Sequence, residues 1–448
     1  MARISLQHLQ IVSTQIIKPS SPTPPNLNIH TLSLFDQLAP HTFVPLVFFF
    51  SHQGPGRSGT YYHTTVDKLE LLRQSLSTTL SRYYPFAGRI KDKISIDCND
   101  EGVTFVEAWL EGVTVSKILE NPRSEIVEML FVDGLQWKDS KMGSLLKVQI
   151  TLFECGGLSI GVLLSHKLGD LATLVKFVQD WGLITRNNGF CEEETVNPLF
   201  FSADVFPHGD LPAMSGAVIE EGNFTCKRFV FEGSKIESLK NRISEKVQNP
   251  SRVEVVSALI YKAIISASRN NNNSQNQSTL LLQTLNLRKR VVPPLPETLV
   301  GSLVSFFPVG VDGEREVVEL HELVGTMRKE MGEFCDRYAK KYRTKEWLEL
   351  IKKRLNESRE ILSKNGNNQL VYRCSSGCNF PIYEVDFGWG VADWVTMPAF
   401  KMKNTVMMLD AKNGGGIEAL ISLQDGEMAA FQDNEELLAF ASLNPSVN

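Results

Sequence analysis

Residues 158–170 have the sequence Leu-Ser-Ile-Gly-Val-Leu-Leu-Ser-His-Lys-Leu-Gly-Asp, and this stretch predicts the fold class. Its first part, Leu158–Ser165, is almost entirely apolar, which is typical of a strand buried on both faces of a sheet. After Asp170, apolar residues recur at helical spacing, at positions 171, 174, 178 and 181. A buried strand that leads into an amphipathic helix is a unit of α/β proteins. The sequence therefore predicts an α/β fold with His166 at the junction.

His166 is the candidate general base. A strand end that faces a helix is where α/β proteins place their crevices. An imidazole titrates near neutral pH, so it can take a proton from an alcohol and return it to a leaving group. A structural histidine would fit the same short pattern. A metal site at His166 and Asp170 would need at least a third ligand, and no His- or Asp-rich cluster lies nearby in the sequence, so no metal is expected.

The rest of the chain divides into two halves around a linker. The stretch 197–222 carries Pro, Gly and Ser without a sustained period. Before it, the pattern predicts strands at 9–17, 94–98, 103–107 and 145–153 and a helix at 64–83; after it, strands at 225–231, 404–410 and 417–423 and helices at 234–247, 253–268, 314–341 and 345–363. Turn residues predict three hairpins, which pair 94–98 with 103–107, 145–153 with 158–165, and 404–410 with 417–423.

Composition excludes several classes of protein. The chain has 448 residues, 42% of them hydrophobic and 22% charged, which suits a globular protein with two cores. A net charge of -5 offers no basic surface for nucleic acid or an anionic membrane. The seven cysteines are scattered and odd in number, so they predict free thiols rather than a disulfide framework. The N-terminal 18 residues lack the apolar core of a signal peptide, so we expect a cytoplasmic protein.

Two further motifs are distinctive. Asp386-Phe387-Gly388-Trp389-Gly390 places two glycines around a tryptophan, which favours a sharply bent packing corner. Its carboxylate would need a cationic partner if buried. Arg288 and Arg290 precede a proline-rich loop, and either could pair with Asp170 or Asp386, or lie in solvent.

Together these segments give the chain a recognisable resemblance to the plant BAHD family of acyl-CoA-dependent acyltransferases. The family signatures are His-x-x-x-Asp and Asp-Phe-Gly-Trp-Gly, here at 166–170 and 386–390. The likeness extends nearly end to end and includes Ile17-Lys-Pro-Ser-Ser-Pro-Thr-Pro24, Tyr84-Pro-Phe-Ala-Gly-Arg89, the 288–296 loop, Glu436-Leu-Leu438 and Asn444-Pro445. Either signature alone is weak evidence, whereas both in order and at family spacing are strong evidence.

The resemblance implies two chloramphenicol-acetyltransferase-like domains, each a mixed sheet with flanking helices, and a solvent channel at their interface. The expected divisions are 1–200, a crossover linker at 201–222, and 223–448, with a segment after 386 that packs back on the first domain. His166 would deprotonate the acceptor hydroxyl and later protonate the thiolate of coenzyme A. Asp170 would orient the histidine loop through Arg288 or Arg290, and residues 386–390 would be architectural. No permanently bound cofactor is implied, and the partners are an acyl-CoA donor and a small-molecule alcohol, bound by a monomer.

Several positions depart from the family pattern. Leu171 and Gly377 stand where many relatives have glycine and tryptophan, and Val391-Ala392 replaces Lys-Pro. Residues 300–303, Val-Gly-Ser-Leu, replace the Tyr-Phe-Gly-Asn of relatives that use malonyl or hydroxycinnamoyl donors. The pattern is most similar to the branch of alkaloid acetyltransferases, so acetyl-CoA is the expected donor.

Ser251 and Arg252 are candidate contacts for the 3′-phosphate of coenzyme A. The resemblance places that contact at the start of the helix at 253, and helix N-termini attract anions. An ordinary N-cap beside an exposed arginine fits the same residues. Two other functions also remain open: a lyase or rearrangement enzyme that keeps the channel without coenzyme A, and a non-catalytic binding protein. Binding of coenzyme A separates the acyltransferase from both.

Overall fold

The computed structural model describes residues 9–52, 65–132, 143–190, 196–208, 223–269, 277–342, 344, 346–363, 369–412 and 414–447. Within them the chain forms two large mixed sheets and one small sheet, with helices packed against them. The predicted α/β class is confirmed.

The first large sheet contains the strand that precedes His166. Across the sheet its strands are β1 (Leu9–Ile17), β6 (Val103–Leu110), β7 (Leu146–Phe153), β8 (Leu158–Ser165), β3 (Phe43–Phe50) and β13 (Trp394–Thr396). β6 and β7 are parallel, and the other neighbours are antiparallel. Every residue of β8 is buried, because apolar clusters cover both faces of the sheet. The predicted pairing of 145–153 with 158–165 is confirmed.

The second large sheet is formed by the later half of the chain. Its strands, in spatial order, are β11 (Val304–Val311), β10 (Ser278–Asn286), β12 (Gln369–Ser376), β14 (Thr405–Asp410), β15 (Ile417–Gln424), β9 (Phe224–Phe231) and β16 (Ser442–Leu443). β12 is parallel to both of its neighbours, and the remaining pairs are antiparallel. The register of β14 and β15 runs to Asp410 opposite Ile417, which confirms the predicted C-terminal hairpin.

A small third sheet corrects one prediction. It consists of β2 (Ile29–Thr31), β5 (Ser95–Asp97) and β4 (Arg89–Ile90), with β5 in the middle. The predicted hairpin of 94–98 with 103–107 is therefore wrong, since β6 pairs with β1 and β7 instead. The turn between them is held by other segments, with Thr23 donating to Asp100 at 2.6 Å and the amide of Gly102 to the carbonyl of Ala87 at 2.9 Å. The two segments are neighbours in sequence, but each pairs with strands from other parts of the chain.

Helices cover the faces of the large sheets. They are α1 (Leu34–Leu38), α2 (Thr65–Arg82), α3 (Val115–Glu120), α4 (Ser124–Met129), α5 (Leu171–Arg186), α6 (Ser202–Val205), α7 (Gly233–Ile243), α8 (Arg252–Arg269), α9 (Leu320–Arg337), α10 (Trp347–Ser363), α11 (Asp425–Gln432) and α12 (Glu435–Leu438). Short 3₁₀ turns lie at Pro25–Leu27, Tyr84–Ala87, Ala339–Lys341 and Ile382–Glu384. In the described ranges, no helix is long and apolar enough to cross a membrane.

One strand from the later half belongs to the first sheet. β13 pairs with β3 through Trp394–Phe49, Val395–Phe48 and Thr396–Val47. This exchange brings Met397, the residue after β13, to a cavity that His166 also lines. The domain boundaries at 200 and 222 stay a prediction, and residues 209–222 of the linker lie outside the described residues.

Candidate active site

His166 lies where β8 ends and the chain turns toward α5. Its backbone amide donates to the carbonyl of Thr42 at 2.8 Å, and the preceding Ser165 amide donates to the carbonyl of Leu145. These bonds tie Ser165 and His166 to the residues that directly precede the two strands flanking β8. The side chain is half-buried, and its Nδ1 lies 2.6 Å from the hydroxyl Oγ of Ser302. Among the described side chains, the hydrogen-bond partner of the ring is Ser302 at Nδ1, and His166 also lines a cavity, so we assign Nε2 as the nitrogen that meets a ligand.

Burial lowers the pKa of His166 below its ordinary value of 6.5, and the nearby charge of Asp170 opposes this effect only in part. The physical cause is that a charged imidazolium loses hydration in this site. At neutral pH the ring is therefore neutral, which is the form that accepts a proton.

Asp170 lines the same cavity as His166, and its hydrogen bonds hold the loop that follows the histidine. It is the N-cap of α5, and its Oδ1 accepts a hydrogen bond from the amide of Thr173 at 2.9 Å. Its Oδ2 accepts from Arg288 Nη1 at 2.7 Å and from the amide of Leu303 at 3.0 Å. Arg288 is only 1% exposed and its guanidinium also donates to the carbonyls of residues 299 and 301. This buried pair joins the histidine loop to the later half of the chain.

The sequence left open whether Arg288 or Arg290 pairs with an acidic motif residue. In the structure Arg288 forms the ion pair with Asp170, whereas Arg290 lines a separate cavity. Asp386 pairs with neither of them; its side chain lies 3.7 Å from Arg186. The alternative in which these arginines serve the Asp386 motif is therefore wrong.

Ser302 and Asp36 are site residues that the sequence analysis missed. The amide of Ser302 donates to Oδ1 of Asp36 at 2.6 Å, and Ser33 donates to Oδ2 through both its amide and its hydroxyl. Burial raises the pKa of Asp36 to about 6. Residues 301–303 are thus fixed between two buried carboxylates, Asp36 on one side and Asp170 on the other. The only sequence signal was the Ser33-x-x-Asp36 capping pattern at α1, which says nothing about a residue 266 positions away.

A cavity of about 260 Å³ opens beside His166 between the two large sheets. Most of its lining is apolar, and it comes from both halves of the chain: Phe43, Val44, Pro45, Leu171, Met397, Phe400 and Met407 among others. The polar or charged residues Thr284, Arg373, Ser375 and Ser376 also line it. Such an apolar pocket with a few polar groups is the usual form of a small-molecule site.

A second cavity of about 500 Å³ lies next to the first. Both are lined by Thr284, Leu285, Asn286, Ser376 and Phe380, so they adjoin at this wall. The second cavity is more basic, since Arg252, Lys289 and Arg290 line it. Ser251 lies at the same opening, at the N-terminus of α8.

Ser251 and Arg252 already have protein partners. Ser251 caps α8: its Oγ accepts from the amide of Glu254 at 3.3 Å, and its own amide donates to the Glu254 carboxylate at 2.7 Å. Arg252 forms an ion pair with Asp410 at 3.0 Å and donates to Asn379 Oδ1 at 2.9 Å. The arginine is therefore not a simple exposed charge, although it still borders the second cavity.

Residues 386–390 form a packing corner remote from both cavities. Gly388 and Gly390 have φ values of +103° and +100°, and their amides donate to Oδ1 of Asp386 at 2.8 and 3.0 Å. The Phe387 ring is fully buried and meets the Trp181 ring of α5 edge-on at 5.0 Å, while Trp389 stacks on Phe387. None of the five residues lines either cavity.

Two of the family departures lie away from the chemistry. Val391 forms an isolated bridge with Asp386 and Ala392 is fully buried, and neither lines a cavity. Leu171, in contrast, lines the His166 cavity, and Gly377 follows directly after Ser376. The described residues contain no group of three or more His, Cys, Asp or Glu side chains that could hold a metal ion.

The chain is similar to known proteins over almost its full length. The model of the Transferase family matches residues 7–438. The chain is 36% identical over 437 residues to 17,18-epoxy-17-hydroxycur-19-ene N-malonyltransferase of Strychnos nux-vomica, covering 97% of this chain and 91% of that protein. It is 33% identical over 450 residues to limonoid 1-O-acetyltransferase of Citrus sinensis, with 97% and 99% covered.

The fold is also similar to that of a known structure. The crystal structure of vinorine synthase superposes with a TM-score of 0.83 at 30% identity, covering 98% of this chain and 100% of that one. The histidine loop, the buried Asp170–Arg288 pair and the Asp-Phe-Gly-Trp-Gly corner all lie within the residues 7–438 that match this family. The protein belongs to the Transferase family and is a BAHD-type, acyl-CoA-dependent acyltransferase.

Proposed function

We propose that the protein transfers an acetyl group from acetyl-CoA to a hydroxyl of a plant specialised metabolite such as an alkaloid, with His166 as general base. The observation that carries this proposal is the geometry of His166, a neutral imidazole at the wall of an apolar cavity with Nδ1 on Ser302, which leaves Nε2 for a ligand. In this arrangement Nδ1–H donates to Ser302, and Nε2 takes the proton from the acceptor hydroxyl.

The two adjoining cavities suit the two substrates. The apolar cavity beside His166 takes the acceptor, and the more basic one takes coenzyme A, so that together they form a channel past the imidazole. The acceptor oxygen attacks the thioester carbonyl carbon as its proton moves to Nε2. When the carbon–sulfur bond breaks, the same proton passes to the thiolate, and the imidazole is neutral again.

Asp170 is a positioning residue in this mechanism. Both of its oxygens are occupied, one by the Thr173 amide and the other by Arg288 and the Leu303 amide. It therefore fixes the histidine loop and the 301–303 segment rather than relaying protons. The support for an acetyl donor and an alcohol acceptor comes from the name of the limonoid O-acetyltransferase; the N-malonyltransferase makes malonyl transfer to nitrogen the competing specificity. We further propose that the protein acts as a monomer in the cytoplasm.

His166→Ala tests the mechanism directly. We expect acyl transfer to fall by roughly two to four decades, because general-base catalysis contributes about that much. Mass spectrometry of an added acyl group, over a panel of donors and acceptors, measures the transfer. The control is binding of coenzyme A by calorimetry, which should persist in the variant. A folded His166→Ala protein with wild-type turnover would refute the assignment, and a wild-type protein that does not bind coenzyme A would favour the lyase or binding-protein alternatives.

A further inference from the structure

Leu171 and Gly377 lie against each other between the two large sheets. Leu171 is the first residue of α5, directly after Asp170, and Gly377 directly follows β12. An ideal Cβ on Gly377 would lie 2.5 Å from Cδ2 of Leu171 and 2.8 Å from Cδ2 of Leu409. Carbon atoms in contact are normally 3.5–4.0 Å apart, so no side chain fits at position 377 unless these leucines move.

The backbone itself does not require glycine at this position. Gly377 is not among the glycines with positive φ, so an L-residue could adopt its conformation. The obstructing atoms are the ends of two leucine side chains rather than backbone atoms. Position 377 is therefore glycine because Leu171 and Leu409 already fill the space.

This contact is part of the cavity wall beside His166. Leu171 lines the cavity from the first half of the chain, and Ser376, the neighbour of Gly377, lines it from the second half. Leu409 does not line the cavity. The side chain supplied by α5 thus decides how far the wall extends toward the ligand.

We propose that Leu171 and Gly377 act as one steric unit that sets the size of the acceptor accepted beside His166. Most of the lining is apolar, with Met407 on the same sheet and Phe43 on the other large sheet, so the ligand class is an alcohol with a bulky apolar body, for which alcohols of one to four rings are graded probes. Leu171 limits the extent of that body. The assignment to the acceptor rests on the proposed function, whereas the packing unit does not.

A double-mutant cycle in thermal unfolding tests the unit. Gly377→Ala should lower the unfolding temperature, and Leu171→Ala/Gly377→Ala should lower it by less than the sum of the two single changes, because the double variant removes the 2.5 Å contact. Recovery is partial, since the contact with Leu409 persists. The control cycle combines Gly377→Ala with Met407→Ala. Met407 Cε would lie 3.6 Å from the new Cβ, an ordinary contact distance, so the two changes should be additive. The steric coupling of Leu171 with Gly377 is refuted if the changes in unfolding temperature are additive in the Leu171 cycle, or if the Leu171 and Met407 cycles show equal coupling.

Binding of ring alcohols tests the effect on specificity without turnover. The probes are cyclohexanol, borneol and a tetracyclic steroid alcohol, titrated by calorimetry in the absence of acyl-CoA. Leu171→Ala should shift the ratio of affinities toward the tetracyclic probe by about tenfold, because a wall of this size discriminates by that order. Leu409→Ala is the matched control, since it touches the same point but leaves the wall in place, and its ratio should equal that of the wild type.

An unchanged ratio in Leu171→Ala, or no binding of any probe to the wild type, overturns the assignment. Failure of the proposed function gives a different result: the alcohols bind with the expected ratios, but no acetyl group is transferred from acetyl-CoA.

Discussion

Replacement of Asp170 by alanine separates a positioning role for this carboxylate from direct action on His166. The structure buries Asp170 and Arg288 together, with 2.7 Å between Nη1 and Oδ2. Removing the carboxylate leaves a guanidinium that is 1% exposed with one fewer partner and no counter-charge. It also leaves the amides of Thr173 and Leu303 without their acceptor.

The magnitude follows from these losses. Breaking a buried ion pair from one side costs about 3–5 kcal/mol, because the remaining charge is desolvated and unpaired. Loss of an N-cap alone costs about 1 kcal/mol. The loss of the ion pair is therefore the larger of the two free-energy costs. The two costs are not simply added, because the same carboxylate forms the ion pair and the cap. We expect the free energy of unfolding to fall by about 3–5 kcal/mol, with acyl transfer falling as the histidine loop moves.

Denaturant unfolding followed by tryptophan fluorescence measures the stability, and acyl transfer is measured on the same preparation. Asp170→Asn is the matched control, because it keeps an acceptor for the α5 cap but removes the charge. The double change Asp170→Ala with Arg288→Met should recover part of the stability, since it removes the orphaned cation. An Asp170→Ala protein that is inactive but as stable as the wild type would refute the positioning role and favour direct polarisation of the imidazole.

Three further predictions concern the surroundings of the site. Ser302→Ala should lower kcat by about tenfold to a hundredfold, because the ring of His166 loses the partner that orients it. It should also move the acid limb of the pH–rate profile, which in the wild type lies below pH 6.5 because burial lowers the pKa of His166. Ser302→Thr should restore both kcat and the profile, whereas an unmoved profile in Ser302→Ala would make Ser302 merely structural. Arg252→Ala should raise the KM for acetyl-CoA, leave kcat nearly intact and weaken discrimination against dephospho-coenzyme A thioesters. The reason is that the change removes a cation from the second cavity and uncovers the Asp410 carboxylate. Arg252→Lys should retain part of the discrimination, and an unchanged KM in Arg252→Ala contradicts the phosphate contact. His30 is buried and its pKa is lowered to about 4, so between pH 6.5 and 4 the unfolded chain binds its proton and the folded chain does not. As the pH falls through this window, His30 should therefore destabilise the wild type, relative to His30→Gln, by about 1.4 kcal/mol per pH unit. Denaturant titrations of both proteins measure this difference, which also removes the opposite contribution of Asp36, and a pH-independent difference contradicts the prediction.

Much of the local structure was predictable because it depends on neighbours in sequence. The apolar run of β8 and the helical spacing after Asp170 placed His166 at a strand–helix junction, which the structure confirms. The two glycines of the Asp-Phe-Gly-Trp-Gly motif predicted a bend, and both have positive φ. The C-terminal hairpin followed from its turn residues. The family followed from motif order and spacing, because these are properties of the chain itself.

Tertiary structure alone decided the contacts between distant segments. Two neighbouring arginines carry the same charge, and only the path of the loop buries Arg288 against Asp170 while Arg290 borders a cavity. No local pattern links Ser302 to His166, 136 positions away, or Leu171 to Gly377, because each contact arises where one sheet packs against the other. The false hairpin at 94–107 has the same cause: strand pairing is chosen among all partners that packing brings within reach. The sequence by itself determined the fold class, the family and the candidate base, whereas packing between the two sheets decided what orients that base and what shapes the cavity beside it.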